Sequence, residues 1–138
     1  MIIADTGFWL ALANERDRHH GRARDALDEV SEPLVTTWPV LTETCHLLSR
    51  RLGPEAAERF FRAGRDGGFE LFGLDRSMLA RIEVVMAKYR ALPMDLADAS
   101  LVLVAEELGH GRILSTDQRD FAAYRWKHHE PFENLLLP

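Results

Sequence analysis

Apolar residues in this chain come in two alternating patterns, runs of three or four and stretches spaced by three and four. Ile2-Ile3-Ala4 reads as a short buried strand, and Phe8, Trp9, Leu10 and Leu12 follow in a helix over 7–13. Ala23, Ala26, Leu27 and Val30 mark one face of a second helix from about 19 to 30. Pro33 precedes a strand at 34–36, and Pro39 suits the first turn of a helix over 39–52 that carries Leu41, Cys45, Leu48 and Leu52. Gly53-Pro54 interrupts it, and a further helix runs over 55–66 before Gly67-Gly68 turns into a strand at 70–72. Asp75 caps a helix bearing Leu79, Ile82, Val85, Met86 and Tyr89. The stretch 96–108 is apolar nearly all round and therefore belongs at the centre. Gly109-His110-Gly111 ends it, followed by a strand at 112–114, a helix over 118–124, and a tail whose Leu135-Leu136-Leu137 is read as an edge strand. Strands alternating with helices predict an α/β domain: a mainly parallel central sheet of four or five strands, flanked by helices.

Neither repeat nor linker divides the chain, so residues 1–138 are read as a single domain. The apolar run from Ala99 to Ala105 is far too short to span a bilayer, and Met1 to Asp5 carries no basic segment of a secretory signal. One cysteine, Cys45, excludes an internal disulfide and fits a reducing cytoplasm, the expected location. A net charge of −5 argues against a nonspecific polyanion binder, although local patches outweigh totals. The adjacent histidines 19–20 and 128–129 and the Cys45-His46 pair lack zinc-ligand spacing, and no phosphate-binding glycine loop is present. Trp9 and Trp38 read as core or interface residues.

The informative polar residues are acids beside apolar elements. Asp5 ends the first strand and Asp117 follows the strand at 112–114. In a parallel sheet, residues leaving the carboxyl ends of strands gather along one edge, where ligands bind. Two carboxylates there repel by roughly 4 kcal/mol at ~4 Å and an effective dielectric of ~20. Glu43 borders the apolar face of its helix, three residues after Val40 and four before Leu47. Asp98 lies in the first turn of the most apolar helix, where Asp95 is the expected cap. Taken singly, each acid can be a cap or a solvated residue; together they fit a site for a hard cation such as Mg²⁺ or Mn²⁺. Asp5 is the first candidate ligand, with helix capping left to Thr6. Asp98 and Asp117 are the next, and Glu43 is placed to orient or deprotonate a water. Thr6 and Thr116 are candidates for holding waters or carboxylates, with Asp95 and Asp120 in support. Arg50, two turns along from Glu43, is a candidate phosphate contact, with Arg16 and Arg119 as looser ones.

Asp5-Thr6-Gly7, Leu41-Thr42-Glu43, the run Met94-Asp95-Leu96-Ala97-Asp98-Ala99, and Ser115-Thr116-Asp117 with Asp120-Phe121 together resemble the PIN domain, and more narrowly the VapC-type toxin ribonucleases of bacterial toxin–antitoxin pairs. The resemblance spans essentially the whole chain. It implies a PIN-like three-layer sandwich in which Asp5, Glu43, Asp98 and Asp117 form a Mg²⁺ or Mn²⁺ site that cleaves RNA. It also implies a homodimer and a small antitoxin protein that blocks the site. The fourth acid varies in that family; Asp117, nearer the strand end, is preferred over Asp120, which is assigned to the turn or a helix cap. The alternative is a PIN-like RNA- or protein-binding module with weak or no turnover, separable by an assay with EDTA and added ion. A phosphatase of the haloacid dehalogenase type would need an aspartate where Gly7 stands, and a receiver domain a late lysine that Lys88 and Lys127 do not supply.

Overall fold

The computed structural model describes residues 1–138. Its elements run β1 (Ile2–Ala4), α1 (Thr6–Ala13), α2 (His20–Glu29), β2 (Leu34–Thr37), α3 (Trp38–Leu52), α4 (Pro54–Arg65), β3 (Glu70–Phe72), α5 (Leu79–Lys88), α6 (Leu96–Leu108), β4 (Arg112–Leu114), α7 (Gln118–Ala123), β5 (Arg125–Trp126), β6 (Glu130–Pro131) and β7 (Glu133–Asn134). Five strands form one sheet in the order β3-β2-β1-β4-β7, and all four pairings are parallel. The chain builds outward from β1 through β2 to β3, then returns to lay β4 against the other side of β1. That reversal opens a crevice at the carboxyl ends of β1 and β4, the position at which open α/β sheets bind their ligands.

Register decides which residues meet there. Ile3 pairs with Ile113 and Ala4 with Leu114, and the Asp5 amide donates to the Leu114 carbonyl at 3.1 Å. The next residues in step are therefore Asp5 and Ser115. β1 is buried along its whole length, as a central strand with both faces covered must be. α6 packs over β1 and β2 with Leu101, Val102, Leu103 and Val104 buried, as its all-round apolar character predicts. Glycine at 109, in the left-handed region at φ 77°, ends α6. Phe8, Trp9, Phe60 and Phe69 form a ring cluster with neighbouring centroids 5.0 to 5.4 Å apart, joining α1 to α4 and to the residue before β3.

Several local expectations change. Asp75 caps a single 3₁₀ turn, Arg76–Met78, that leads into α5, instead of capping α5 itself. The edge strand of the tail is Glu133–Asn134, with Leu135–Leu137 following it. A β5–β6 hairpin precedes it, turning through Lys127 and His128 at φ 46° and 69°. Trp126 is buried there and its indole N–H donates to the Pro131 carbonyl. Trp38 is 56 % exposed and so lies outside the core. No helix is long and apolar enough to cross a membrane.

Candidate acidic site

The crevice between β1 and β4 is a cavity of about 430 Å³ that brings together Asp5, Glu43, Asp95, Asp98, Asp117 and Asp120, with Thr6 and Thr116 beside them and no basic side chain in its lining. Four separate elements deliver the acids. Asp5 comes from the end of β1, Glu43 from α3, Asp95 and Asp98 from the start of α6, and Asp117 and Asp120 from the cap and first turn of α7. The three arginines expected near the RNA, Arg16, Arg50 and Arg119, are exposed and outside the lining. Arg119 is near enough to offset part of the upward shift of Asp120.

Asp5, not Thr6, caps α1: one carboxylate oxygen accepts the Thr6 amide at 2.7 Å, and the other accepts the Ser115 hydroxyl at 2.9 Å. Thr6 is the first helical residue, and its hydroxyl donates to Glu43 at 3.3 Å while receiving the buried Thr44 hydroxyl at 3.4 Å. Asp95 caps α6 by accepting the Asp98 amide at 2.8 Å, as the sequence suggests. Asp117 likewise caps α7, accepting the Asp120 amide at 3.1 Å. Capping thus belongs to Asp117, and Asp120 occupies the first turn.

Ser115 supplies the hydroxyl expected of Thr116. It is fully buried, donates to Asp5 and accepts the Asp117 amide at 2.9 Å, so one side chain spans two acids. Asn134 of β7 holds Ser115 in turn: its carboxamide accepts the Ser115 amide and donates to the Ser115 carbonyl, at 3.3 and 2.9 Å. Thr116 packs instead against Gly7, whose missing side chain makes the approach possible; a Cβ at Gly7 would lie 1.8 Å from the Thr116 hydroxyl oxygen. On the α6 side, the buried Tyr124 hydroxyl donates to Asp98 Oδ2 at 3.0 Å.

This crowding shifts the acids upward. Burial, reinforced by Glu43 and Asp117, raises Asp5 to about 6 even though Ser115 and Thr6 pull it down. Asp98 rises to about 8, from burial first and then from Asp95 and Asp5, against the Tyr124 hydrogen bond. Glu43 is raised by burial and by Asp95, with Thr6 opposing. Each carboxylate oxygen has two acceptor positions. Asp98 Oδ1, Asp117 Oδ2 and Glu43 Oε1 receive no protein donor at all. These are hard oxygen donors, as Mg²⁺ and Mn²⁺ require. As the side chains stand, no three acids are gathered closely enough to surround one ion. The donor set fits an ion held by one or two carboxylates with water completing its shell, the usual arrangement for Mg²⁺.

The chain matches the model of the PIN domain family over residues 2–127. Among curated proteins it is similar to ribonuclease VapC26 of Mycobacterium tuberculosis, 27% identical over 124 residues that cover 90% of this chain and 92% of that one. It is also similar to the 23S rRNA-specific endonuclease VapC20 of the same organism, 44% identical over 57 residues, 41% of this chain and 44% of that one. The crystal structure of M. tuberculosis VapC20, described as a sarcin-ricin loop cleaving toxin, superposes with a TM-score of 0.83 at 24% identity, over 95% of this chain and 100% of that one.

Proposed function

We propose, for a chain that belongs to the PIN domain family, that the acidic cleft is the active centre of a divalent-metal-dependent endoribonuclease hydrolysing RNA phosphodiester bonds, and that the protein is the toxin of a toxin–antitoxin pair. The observation that carries this reading is the convergence of Asp5, Glu43, Asp98 and Asp117, from four elements, on one cleft without a basic residue. The ribonuclease name of a relative aligned along nine-tenths of the chain supports it.

Asp5, Asp98 and Asp117 are the residues that hold Mg²⁺ or Mn²⁺, and Glu43 faces the same space. When bound, such an ion supplies positive charge against the scissile phosphate and makes nearby water more acidic. Asp5 is fixed at both oxygens by Thr6 and Ser115, so its orientation costs no reorganisation during the reaction. Glu43 is the general base for the attacking water. Thr6 holds one of its oxygens and leaves the other without a protein donor beside the cleft. RNA is held by cations outside the lining, among them Arg119, which acts on Asp120; Arg16 and Arg50 are further, exposed candidates.

The same reading includes a homodimer and a small antitoxin protein that blocks the cleft. Trp38 and Leu96, 56 % and 46 % exposed, line a surface pocket shared with Glu43 and Asp95. The test is cleavage of RNA by purified protein with EDTA, then with added Mg²⁺ or Mn²⁺, alongside Asp98→Asn. Cleavage that stops with EDTA, returns with either ion and is absent in a folded Asp98→Asn protein is the expected result. Cleavage indifferent to EDTA or to Asp98→Asn overturns the assignment, and folded protein that never cleaves leaves a binding module of the same fold.

A further inference from the structure

Asp98 and Asp117 lie on different elements, yet both are tied to the same six-residue helix. Asp117 is the N-cap of α7, and Tyr124 is its C-cap residue. The Tyr124 amide closes the helix by donating to the Asp120 carbonyl at 2.9 Å, and its side chain crosses to Asp98 on α6. One acid is thus anchored at each end of α7, the first directly and the second through a phenol.

Tyr124 is built to hold a fixed position. It is fully buried, and its ring stands edge-on to Tyr89 and to Phe121, with centroids 5.1 and 5.2 Å away. Phe121, also buried, packs edge-on against Phe132 at 5.2 Å, which pins α7 to the tail. Tyr89 is locked by its own hydroxyl, which accepts the Arg125 amide at 2.8 Å. A ring enclosed in this way has no alternative rotamer open to it without displacing its neighbours. The hydroxyl therefore meets Asp98 at a set place, engages Oδ2 and leaves Oδ1 turned to the cleft. No motif in the resemblance includes residue 124, and only the long-range contact singles it out.

We propose that Tyr124 is a positioning residue for the metal-binding face of Asp98, and that α7 acts as the spacer setting Asp98 and Asp117 relative to one another. This rests on the reading of the cleft as a divalent-ion site. Groups that orient a ligating carboxylate typically alter metal affinity by about 10- to 100-fold when removed. Because a single hydrogen bond is lost here and the ring is kept, Tyr124→Phe is expected at the lower end, about tenfold.

The experiment is Mn²⁺ titration of the metal-free full chain, followed by calorimetry, for wild type, Tyr124→Phe and Tyr89→Phe, with melting curves for all three. Tyr89→Phe is the control because it removes the hydroxyl of another buried tyrosine, one that accepts a backbone amide and donates to no acid. Supporting results are about tenfold weaker Mn²⁺ binding in Tyr124→Phe, with Tyr89→Phe within about twofold of wild type whatever its melting temperature. Unchanged affinity in Tyr124→Phe, an equal loss in both variants, or no Mn²⁺ bound by the wild type overturns the proposal. RNA cleavage measured in parallel keeps the two readings apart: ion binding that depends on Tyr124 without any cleavage removes the ribonuclease and leaves the positioning role standing.

Discussion

Replacing Asp5 with asparagine should stabilise the metal-free protein while abolishing its activity, and the gain should depend on pH. Asp5 is 7 % exposed and its carboxyl is held at about 6 in the folded chain against 3.8 when unfolded. Below 3.8 both states keep the proton and the group contributes nothing. Between 3.8 and 6 the unfolded chain releases its proton first, so stability falls as pH rises, and above about 6 the full loss of about 3 kcal/mol is reached. Asparagine carries no charge and escapes that loss. Its carbonyl still accepts the Thr6 amide, but its NH₂ now faces a Ser115 hydroxyl that must turn its own proton elsewhere, at about 1 kcal/mol. The net gain at pH 8 is about 2 kcal/mol, which for a chain of this length is a rise of roughly 7 °C in melting temperature. At pH 4 the variant should melt at or slightly below wild type. Differential scanning calorimetry in EDTA across that range measures both limits, and a saturating divalent ion should raise the wild-type melting point at pH 8 far more than that of the variant. A variant less stable than wild type by the same margin at pH 4 and pH 8 would refute the view that Asp5 is held ionised against its surroundings.

Ser115→Ala removes the hydroxyl spanning Asp5 and Asp117, and should cost about 1–3 kcal/mol in urea unfolding while reducing cleavage at least tenfold. Gly7→Ala places a methyl against the Thr116 hydroxyl and should cost about 1–3 kcal/mol together with activity; adding Thr116→Ala should restore part of both, and a double-mutant cycle with no coupling would contradict the close packing. Asp117→Asn preserves the α7 cap, because asparagine caps as well as aspartate, so melting should change by only about 0.5 kcal/mol while divalent-ion affinity falls about tenfold. Asp120→Asn should affect ion affinity less, and the opposite ranking in a Mn²⁺ titration would make Asp120 the fourth acid.

The backbone course was legible because β1, β2, β3 and β4 each hold a pair of adjacent apolar residues set between turn or helix signals, and because α6 is too apolar to be anywhere but the centre. The acids were legible for a related reason: strand ends and the first turns of buried helices are where a carboxylate has little solvent. What holds them was harder to see. Ser115 is a small side chain whose importance comes from the β1–β4 register, Asn134 acts across 19 residues, and Tyr124 reaches Asp98 across 26. None of these contacts leaves a periodic trace. The β5–β6 hairpin escaped notice because its turn is made by Lys127 and His128 at positive φ, where glycine or asparagine is the usual signal. Capping was misassigned from Asp5 to Thr6 because a carboxylate at a strand end can cap the helix that follows and still offer lone pairs to the cleft.

The strand order also has a consequence in time. β1 emerges first from the ribosome, but it is the middle of the sheet, and its partner on the cleft side, β4, lies 108 residues later. Until Arg112–Leu114 is synthesised, Ile3 and Ala4 lack one neighbour and Asp5 has no Ser115 to fix it. Asp98 is synthesised before the phenol that orients it, because Tyr124 follows 26 residues behind. The cleft is therefore framed only once β4, α7 and Tyr124 have been made, so a nascent chain that stops short of them carries its acids without the frame that makes them a site.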